Sequence, residues 1–474
     1  MRPSSRPPHL LENVLITALA AEGKAIAHVD GKALFIPHAV PGDVVHVQIT
    51  RQRRAYMEGR ITTLVSPSPD RVPACCTHYG TCGGCSRQTV SYPLQLACKQ
   101  QQVIDQLTRI GKLSLPPVQP IIGAEKTVGY RNKLEFTFSS NRWLTDEEIA
   151  HGDDTLDRRA LGFHIPGRFD KVLDIDTCHL QADLSNAIRR TVKQWAMQNR
   201  CPFYDLRTHA GWLRNLIIRN TSTGEWMVVV VFAYDDDAPR EALLQHLAAT
   251  FPSITALLYV VNNKCHDAIT DLPVHPFAGR DYLEEEMDGL RFRISPKSFY
   301  QTNSEQALHL YGVVRDMAQL TGAERVFDLY TGAGTIALFL ARQAQQVTGI
   351  EYVADAVADA QRNALLNHIP NATFLAGDIK DLLNEALTNR HGRPDVVVLD
   401  PPRAGIHPDV AQALLRIAAP RLIYVSCNPA SQARDLAILS ARYAITRIRP
   451  VDMFPHTQHV ENVVLCETQD AQGD

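Results

Sequence analysis

The sequence predicts an α/β fold: a doubly wound, Rossmann-like parallel sheet in the C-terminal third, preceded by an OB-type β-barrel and a mixed α+β segment. Three observations carry this. From residue 324 onward, buried-strand patterns alternate with helical patterns, the signature of βαβ units. Within residues 8–66, five short runs alternate apolar and polar residues between glycine-containing turns, as in a small closed barrel. Between the two, strand-like and amphipathic segments mix without an internal repeat. The 474 residues therefore divide into expected units of 1–66, 67–300 and 301–474.

The barrel runs are NVLITAL, KAIAHV, KALFIPH, DVVHVQIT and RITTLV, with turns at AEGK, VDGK and VPGD. RQRRAYMEGR adds Arg51, Arg53, Arg54 and Arg60 around Tyr56, the mixture of cations and an aromatic that binds oligonucleotides. Charge agrees: residues 1–140 hold 16 Lys+Arg against 9 Asp+Glu, a balance of +7 within a chain of net charge −3. A basic front on an acidic body points to a polyanion partner. GKAIAHVDGKALFIPHAVPGD (23–43) resembles a TRAM domain, which implies RNA binding.

SPSPDRVPA (66–74) reads as a linker, and residues 88–112 as a helix ending near Gly111. In the mixed segment GYRNKLEFTFS, WMVVVVFAYD and TALLYVVNN read as strands. DDAPREALLQHLAATFP reads as a helix opened by Asp237, and LTDEEIAHGDDTLDRR as an acidic surface insertion. No apolar run reaches the roughly 18 residues that a membrane span needs. The N-terminus lacks a secretory pattern. The expected location is cytoplasmic, with no membrane partner, and the expected state is a monomer.

Ligands on a parallel sheet bind at the carboxyl ends of its strands. Here those ends read DLYTGAG, GIEYV, AGDI, LDPPR and VSCNP. Gly332 and Gly334 allow a tight turn against a ligand. Glu351 follows Asp328 by 23 residues, a spacing suited to both hydroxyls of a ribose. Asp378 and Asp400 end the next two strands. Acidic strand ends without a full GxGxxG favour S-adenosylmethionine, an adenosine with a sulfonium cation and no phosphate, over a dinucleotide.

Cys427 leaves its strand in SCNP, where a thiolate can act as a nucleophile. A thiolate beside a methyl donor suits uracil carbon 5, which is too weak a nucleophile until a thiolate adds at carbon 6. A base must then remove the carbon-5 proton, and Glu461 in HVENVVLCE is the candidate. QTN (301–303), DLYTGAG, GIEYV, DPPRAGIHPDV, YVSCNP and HVENVVL resemble, in order, the RNA uracil-C5 methyltransferase family. The resemblance implies Cys427 as nucleophile, Glu461 as base, and methyl-donor contacts from Gln301, Tyr330, Glu351 and Asp400; Asp378 is added from its strand position. Many relatives carry cysteine where this chain has Thr331. A target base must leave its stack to reach such a site, and Arg131 and Lys133 of GYRNKLEF join the barrel arginines as candidate RNA contacts.

CCTHYGTCGGC (75–85) places Cys76, Cys82 and Cys85 as C-x5-C-x2-C. With a remote fourth ligand from Cys98, Cys178 or Cys201, this spacing suits an iron–sulfur site, and zinc remains open. The motif with the distant DTCHL resembles the cluster-bearing branch of the family, which implies a [4Fe–4S] cluster on Cys76, Cys82, Cys85 and Cys178. Barrel plus cluster resembles the members that act on 23S ribosomal RNA; the alternative substrate is transfer RNA.

Overall fold

The structure, a computed structural model, describes residues 9–20, 23–152 and 155–469. Residues 21 and 22 of the first barrel turn and 153–154 of the acidic insertion lie outside the described residues.

The N-terminal sheet has six strands where the sequence suggests five. They run in the order Leu10–Leu15, Val44–Gln52, Tyr56–Ser66, Lys32–Ile36, Ala25–Val29, Ala18–Leu19. The stretch NVLITAL breaks into two strands because the chain turns a corner: Ile16 N donates to Asp43 O (2.9 Å) and Thr17 N to Ile26 O (2.8 Å). Three register shifts between the second and third strands curl the sheet around Ile16, Ala27, Leu34, Val45, Val47 and Met57. Gly59 allows the closest approach, since a Cβ there would lie 2.3 Å from Val47 Cγ1.

The middle sheet has seven strands, ordered His275–Gly279, Ile254–Val261, Trp226–Phe232, Leu213–Asn220, Lys133–Ser139, Ala160–Ile165, Arg168–Asp174. Trp226–Phe232 is buried along its whole length and pairs in parallel with Ile254–Val261. The intervening helix Asp237–Thr250 opens at the expected Asp237, with Asp236 in the N-cap position and no side-chain capping bond. The acidic insertion forms a short helix, Asp146–His151, opened by a Thr145–Glu148 capping box.

The catalytic sheet is numbered in chain order: β1 Arg325–Leu329, β2 Gln346–Glu351, β3 Ala372–Ala376, β4 Val396–Leu399, β5 Arg421–Ser426, β6 Tyr443–Val451 and β7 Glu461–Thr468. Their spatial order is β3-β2-β1-β4-β5-β7-β6. The first five are parallel, and β7 runs antiparallel to both neighbours. The fold is therefore the expected one, a β-rich TRAM-like region followed by mixed α/β and a Rossmann-like sheet. Two details differ. KDLLNEALTNR forms two helices, Ile379–Leu382 and Glu385–His391, because the Asn384 side chain caps the second by accepting from Leu387 N (3.2 Å). Strand β6 has no counterpart in the sequence reading, since Pro450 and a register shift between Ile445 and Arg447 break its pattern.

A helix far upstream completes this unit. Tyr92–Arg109 buries Val103 and Leu107 among Phe327, Leu399, Leu436 and Tyr424 of the catalytic core. Its Lys99 is fully enclosed: Nζ lies 2.6 Å from Asp452 Oδ1 and 3.0 Å from Phe454 O. Among the described residues, no helix is long and apolar enough to cross a membrane.

Candidate active site

The first loop of the catalytic sheet turns tightly after β1. Tyr330, Gly332 and Gly334 all have positive φ (66°, 56° and 80°), so the backbone folds back over the strand end. Asp328 is buried below it and accepts from the Thr331 hydroxyl, a bond that a cysteine would make only weakly. Burial pushes Asp328 up to about 7. The Glu351 carboxylate at the end of β2 accepts from Gly332 N (3.1 Å) and Val353 N (2.9 Å), joining the first two loops. Asp378 is occupied differently. It caps the helix Ile379–Leu382, accepts from Lys380 N (3.1 Å) and pairs with Lys380 Nζ (3.1 Å), which holds its carboxyl below the usual range.

The reacting edge is set by strand register. Ser426 of β5 pairs with Asn462 of β7, so the next residues along each strand, Cys427 and Glu461, face each other at the end of the ladder. Gln432 locks this end. Its Nε2 donates to Tyr424 O (2.8 Å) and Asn462 O (3.2 Å), while Asn462 Nδ2 donates back to Gln432 Oε1 (2.8 Å). Glu461 is only 4% exposed, and burial together with the Asp400 carboxylate pushes it up to about 8. Burial alone takes Asp400 up to about 7. Cys427 is half-buried; burial, then the carboxylates of Glu461 and Asp400, raise its thiol to about 11 against the opposing pull of Arg403.

Three carboxyl groups thus meet under the strand ends in an electrostatically strained set. Each would gain from a cation placed among them, and a sulfonium is such a cation, so the site fits S-adenosylmethionine. Tyr311 lies within the field of Asp400, Asp328 and Glu461, with its hydroxyl 3.2 Å from Thr335 Oγ1. Sequence reasoning missed it, because in EQALHLYGVV it reads as one more apolar residue of a helical face. It also missed His459, pushed down to about 4 by burial and by Arg403, Lys99, Arg131 and Arg87.

Gln301 stands on a separate segment that precedes the catalytic sheet. Its backbone oxygen accepts from Asn132 Nδ2 (2.8 Å), while its side-chain amide has no protein hydrogen bond among the described residues. Asn303 caps the helix Ser304–Ala318 and donates to Met453 O (3.0 Å), and Gln306 Nε2 donates to Asp452 O (2.8 Å). The QTN segment is thereby pinned to the strap that leads into Glu461. Of the RNA candidates, Arg51, Arg53, Arg54 and Arg60 are exposed on the barrel. Arg131 stacks over Phe454 of the strap at 5.3 Å, and Lys133 sits 3.9 Å from Glu135.

The cysteine motif requires a correction. Cys76, Cys82, Cys85 and Cys178 line one pocket together with Arg131, Leu134, Phe163 and Ile175. They do not form the expected [4Fe–4S] site: among the described residues, no group of three or more His, Cys, Asp or Glu side chains is placed to hold a metal ion. All four are free thiols. Cys178 is buried in the middle core and Cys82 and Cys85 pack against it. Burial raises the thiol of Cys85 to about 12 and that of Cys178 to about 11.

Comparison with known proteins matches this geometry. Residues 277–469 match the tRNA (uracil-5-)-methyltransferase family model, and residues 12–62 match the TRAM domain. An uncharacterized RNA methyltransferase of Bacteroides thetaiotaomicron is 55% identical over 452 residues, covering 95% of this chain and 100% of the relative. One from Porphyromonas gingivalis is 56% identical over 457 residues, covering 95% and 98%. Among solved structures, the Pyrococcus abyssi tRNA (uracil-54, C5)-methyltransferase in complex with S-adenosyl-L-homocysteine superimposes with a TM-score of 0.74 at 26% identity, covering 96% of this chain and 100% of that one. With its TRAM domain, its Rossmann-like sheet and its strand-end carboxylates, the chain belongs to the RNA uracil-C5 methyltransferase family.

Proposed function

We propose that the protein makes 5-methyluridine in transfer RNA, with Cys427 as nucleophile and Glu461 as base. The observation that carries the reaction is the facing of Cys427 and Glu461 across the β5–β7 ladder, beside Asp400. The likeness to the Pyrococcus abyssi enzyme over nearly the whole of both chains favours transfer RNA over the 23S ribosomal RNA expected from the barrel and cysteine motif.

Gln301, Tyr330, Glu351 and Asp400 would hold S-adenosylmethionine; Asp378, engaged with Lys380, would contribute from the rim. When bound, the donor supplies an electrophilic methyl group and a positive charge. The protein's residues do the rest. The Cys427 thiolate adds to uracil carbon 6, and the electron pair displaced from the 5,6 double bond becomes an enolate whose carbon 5 takes the methyl group. Glu461 then removes the carbon-5 proton, the double bond re-forms and the sulfur leaves. Until a cation arrives, Glu461 and Asp400 oppose the thiolate, which restrains nucleophile activation without the donor. The exposed barrel arginines and Arg131 serve as RNA contacts.

The test is mass spectrometry of transfer and ribosomal RNA after gene deletion. Loss of one methyl at uracil carbon 5 in transfer RNA supports the reading. Loss in 23S RNA instead moves the substrate to the ribosome, and no change in either RNA refutes the function.

A further inference from the structure

Arg219 lies in the middle sheet, yet its guanidinium belongs to the loop that carries Gln301. It sits on Leu213–Asn220, directly opposite Lys133 across the ladder. Two cations in register repel each other, and among the described residues Arg219 makes no ion pair. It is 4% exposed, and burial pushes it down to about 10. An unpaired buried charge is expensive, so its contacts define what it does. Nη2 donates to Ser298 O (3.2 Å). Nη1 has no partner, and neither does the buried hydroxyl of Tyr300 two residues further on.

The loop from Ser295 to Asn303 is gripped at other points as well. Asp359 accepts from the hydroxyls of Ser295 (2.9 Å) and Ser298. Asn132, also from the middle unit, donates through its backbone to Thr302 O (2.8 Å) and through Nδ2 to Gln301 O and Ser304 Oγ (2.8 and 2.9 Å). The hydrogen bonds of Arg219 and Asn132 to residues 298–302 all go to backbone oxygens, and the Gln301 side-chain amide has no hydrogen bond among the described residues.

We propose that Arg219 is a positioning residue, through which the middle sheet sets the backbone of the 298–301 loop and so the fit of the methyl-donor pocket. This rests on the reading of Gln301 as a donor contact. Arg219 acts through the Ser298 carbonyl.

The experiment measures binding of S-adenosylhomocysteine by calorimetry, and of an unmodified transfer-RNA transcript by filter retention, for the parent, R219Q, R219K and N132D. Expected for R219Q is an increase of about tenfold in the S-adenosylhomocysteine Kd, with the transcript Kd held within twofold. R219K, whose cationic donor reaches nearly as far as the guanidinium while the shorter glutamine does not, should return to within threefold of the parent. N132D, which cannot donate to Gln301 O, should weaken S-adenosylhomocysteine in the same selective way, and it decides the matter if R219Q does not fold. Equal loss for both ligands, or unchanged S-adenosylhomocysteine binding in R219Q, overturns the proposal. A parent that binds no S-adenosylhomocysteine refutes the proposed function itself, a result distinct from failure of the variants.

Discussion

Lys99→Met strips the ion-pair partner from a fully enclosed carboxylate. At 2.6 Å, and with an effective dielectric of about 20, the attraction between Lys99 and Asp452 is about 6 kcal/mol. Burial works against it and lowers the hold of Lys99 on its proton, so the pair contributes less than this. Removing one partner is the more costly event, because Asp452 keeps only Tyr92 Oη (2.9 Å) and Phe454 N (3.1 Å) as donors. The expected cost is about 3–5 kcal/mol, read as a lower urea midpoint at constant slope. Lys99→Met/Asp452→Asn removes both charges and should recover most of that loss. A single variant costing under about 1 kcal/mol, or a double variant equal to the sum of the singles, would refute the account of a coupled pair.

Four further outcomes follow from the site. Glu461→Gln should lower kcat by about 10²–10⁴-fold and accumulate a covalent RNA adduct on a denaturing gel, because addition at carbon 6 outlives the lost proton removal; a free-RNA band alone contradicts the role. Cys427→Ala should form no adduct with 5-fluorouridine RNA, and equal trapping would exclude it as nucleophile. Asp328, Asp400 and Glu461 bind protons more tightly folded than unfolded, so they cost stability as pH rises from the ordinary carboxyl range through about 7–8. A melting temperature of the ligand-free protein that rises over that window goes against this sign. The same groups favour a sulfonium only when ionised. Affinity for S-adenosylmethionine relative to neutral S-adenosylhomocysteine should therefore climb with pH below about 7, by up to roughly tenfold per unit for each carboxyl; a flat ratio by calorimetry argues against a charged donor among these acids.

What the sequence made legible is what lies close together along it. Strand-end motifs such as DLYTGAG and LDPPR carry both the turn and the carboxylate in a few residues, so the catalytic sheet and Asp400 are readable in one dimension. Contacts between distant segments are not. Nothing in KQQQVID marks Lys99 as the partner of Asp452, and nothing in LIIRN marks Arg219 as a support for Ser298. Tyr311 is disguised by helical periodicity, and β6 by its proline. The cysteine motif misled for a related reason. Spacing reports which thiols lie near one another along the chain, but not whether the fold places their side chains to hold an ion.

The packing of helix Tyr92–Arg109 on the catalytic core has a consequence for biosynthesis. Lys99 and Asp452 are 353 positions apart, and at about 5–20 residues per second the ribosome needs roughly 20–70 s to deliver the second after the first. Until residues 327 and 424 have been made, Val103 and Leu107 have no Phe327 or Tyr424 to cover them. The helix is left as a sticky amphipathic segment ahead of a middle sheet that can already form. A chain stopped near residue 320 should therefore engage chaperones or aggregate, and the final third acts as the clasp that closes the molecule as well as the place where the chemistry is done.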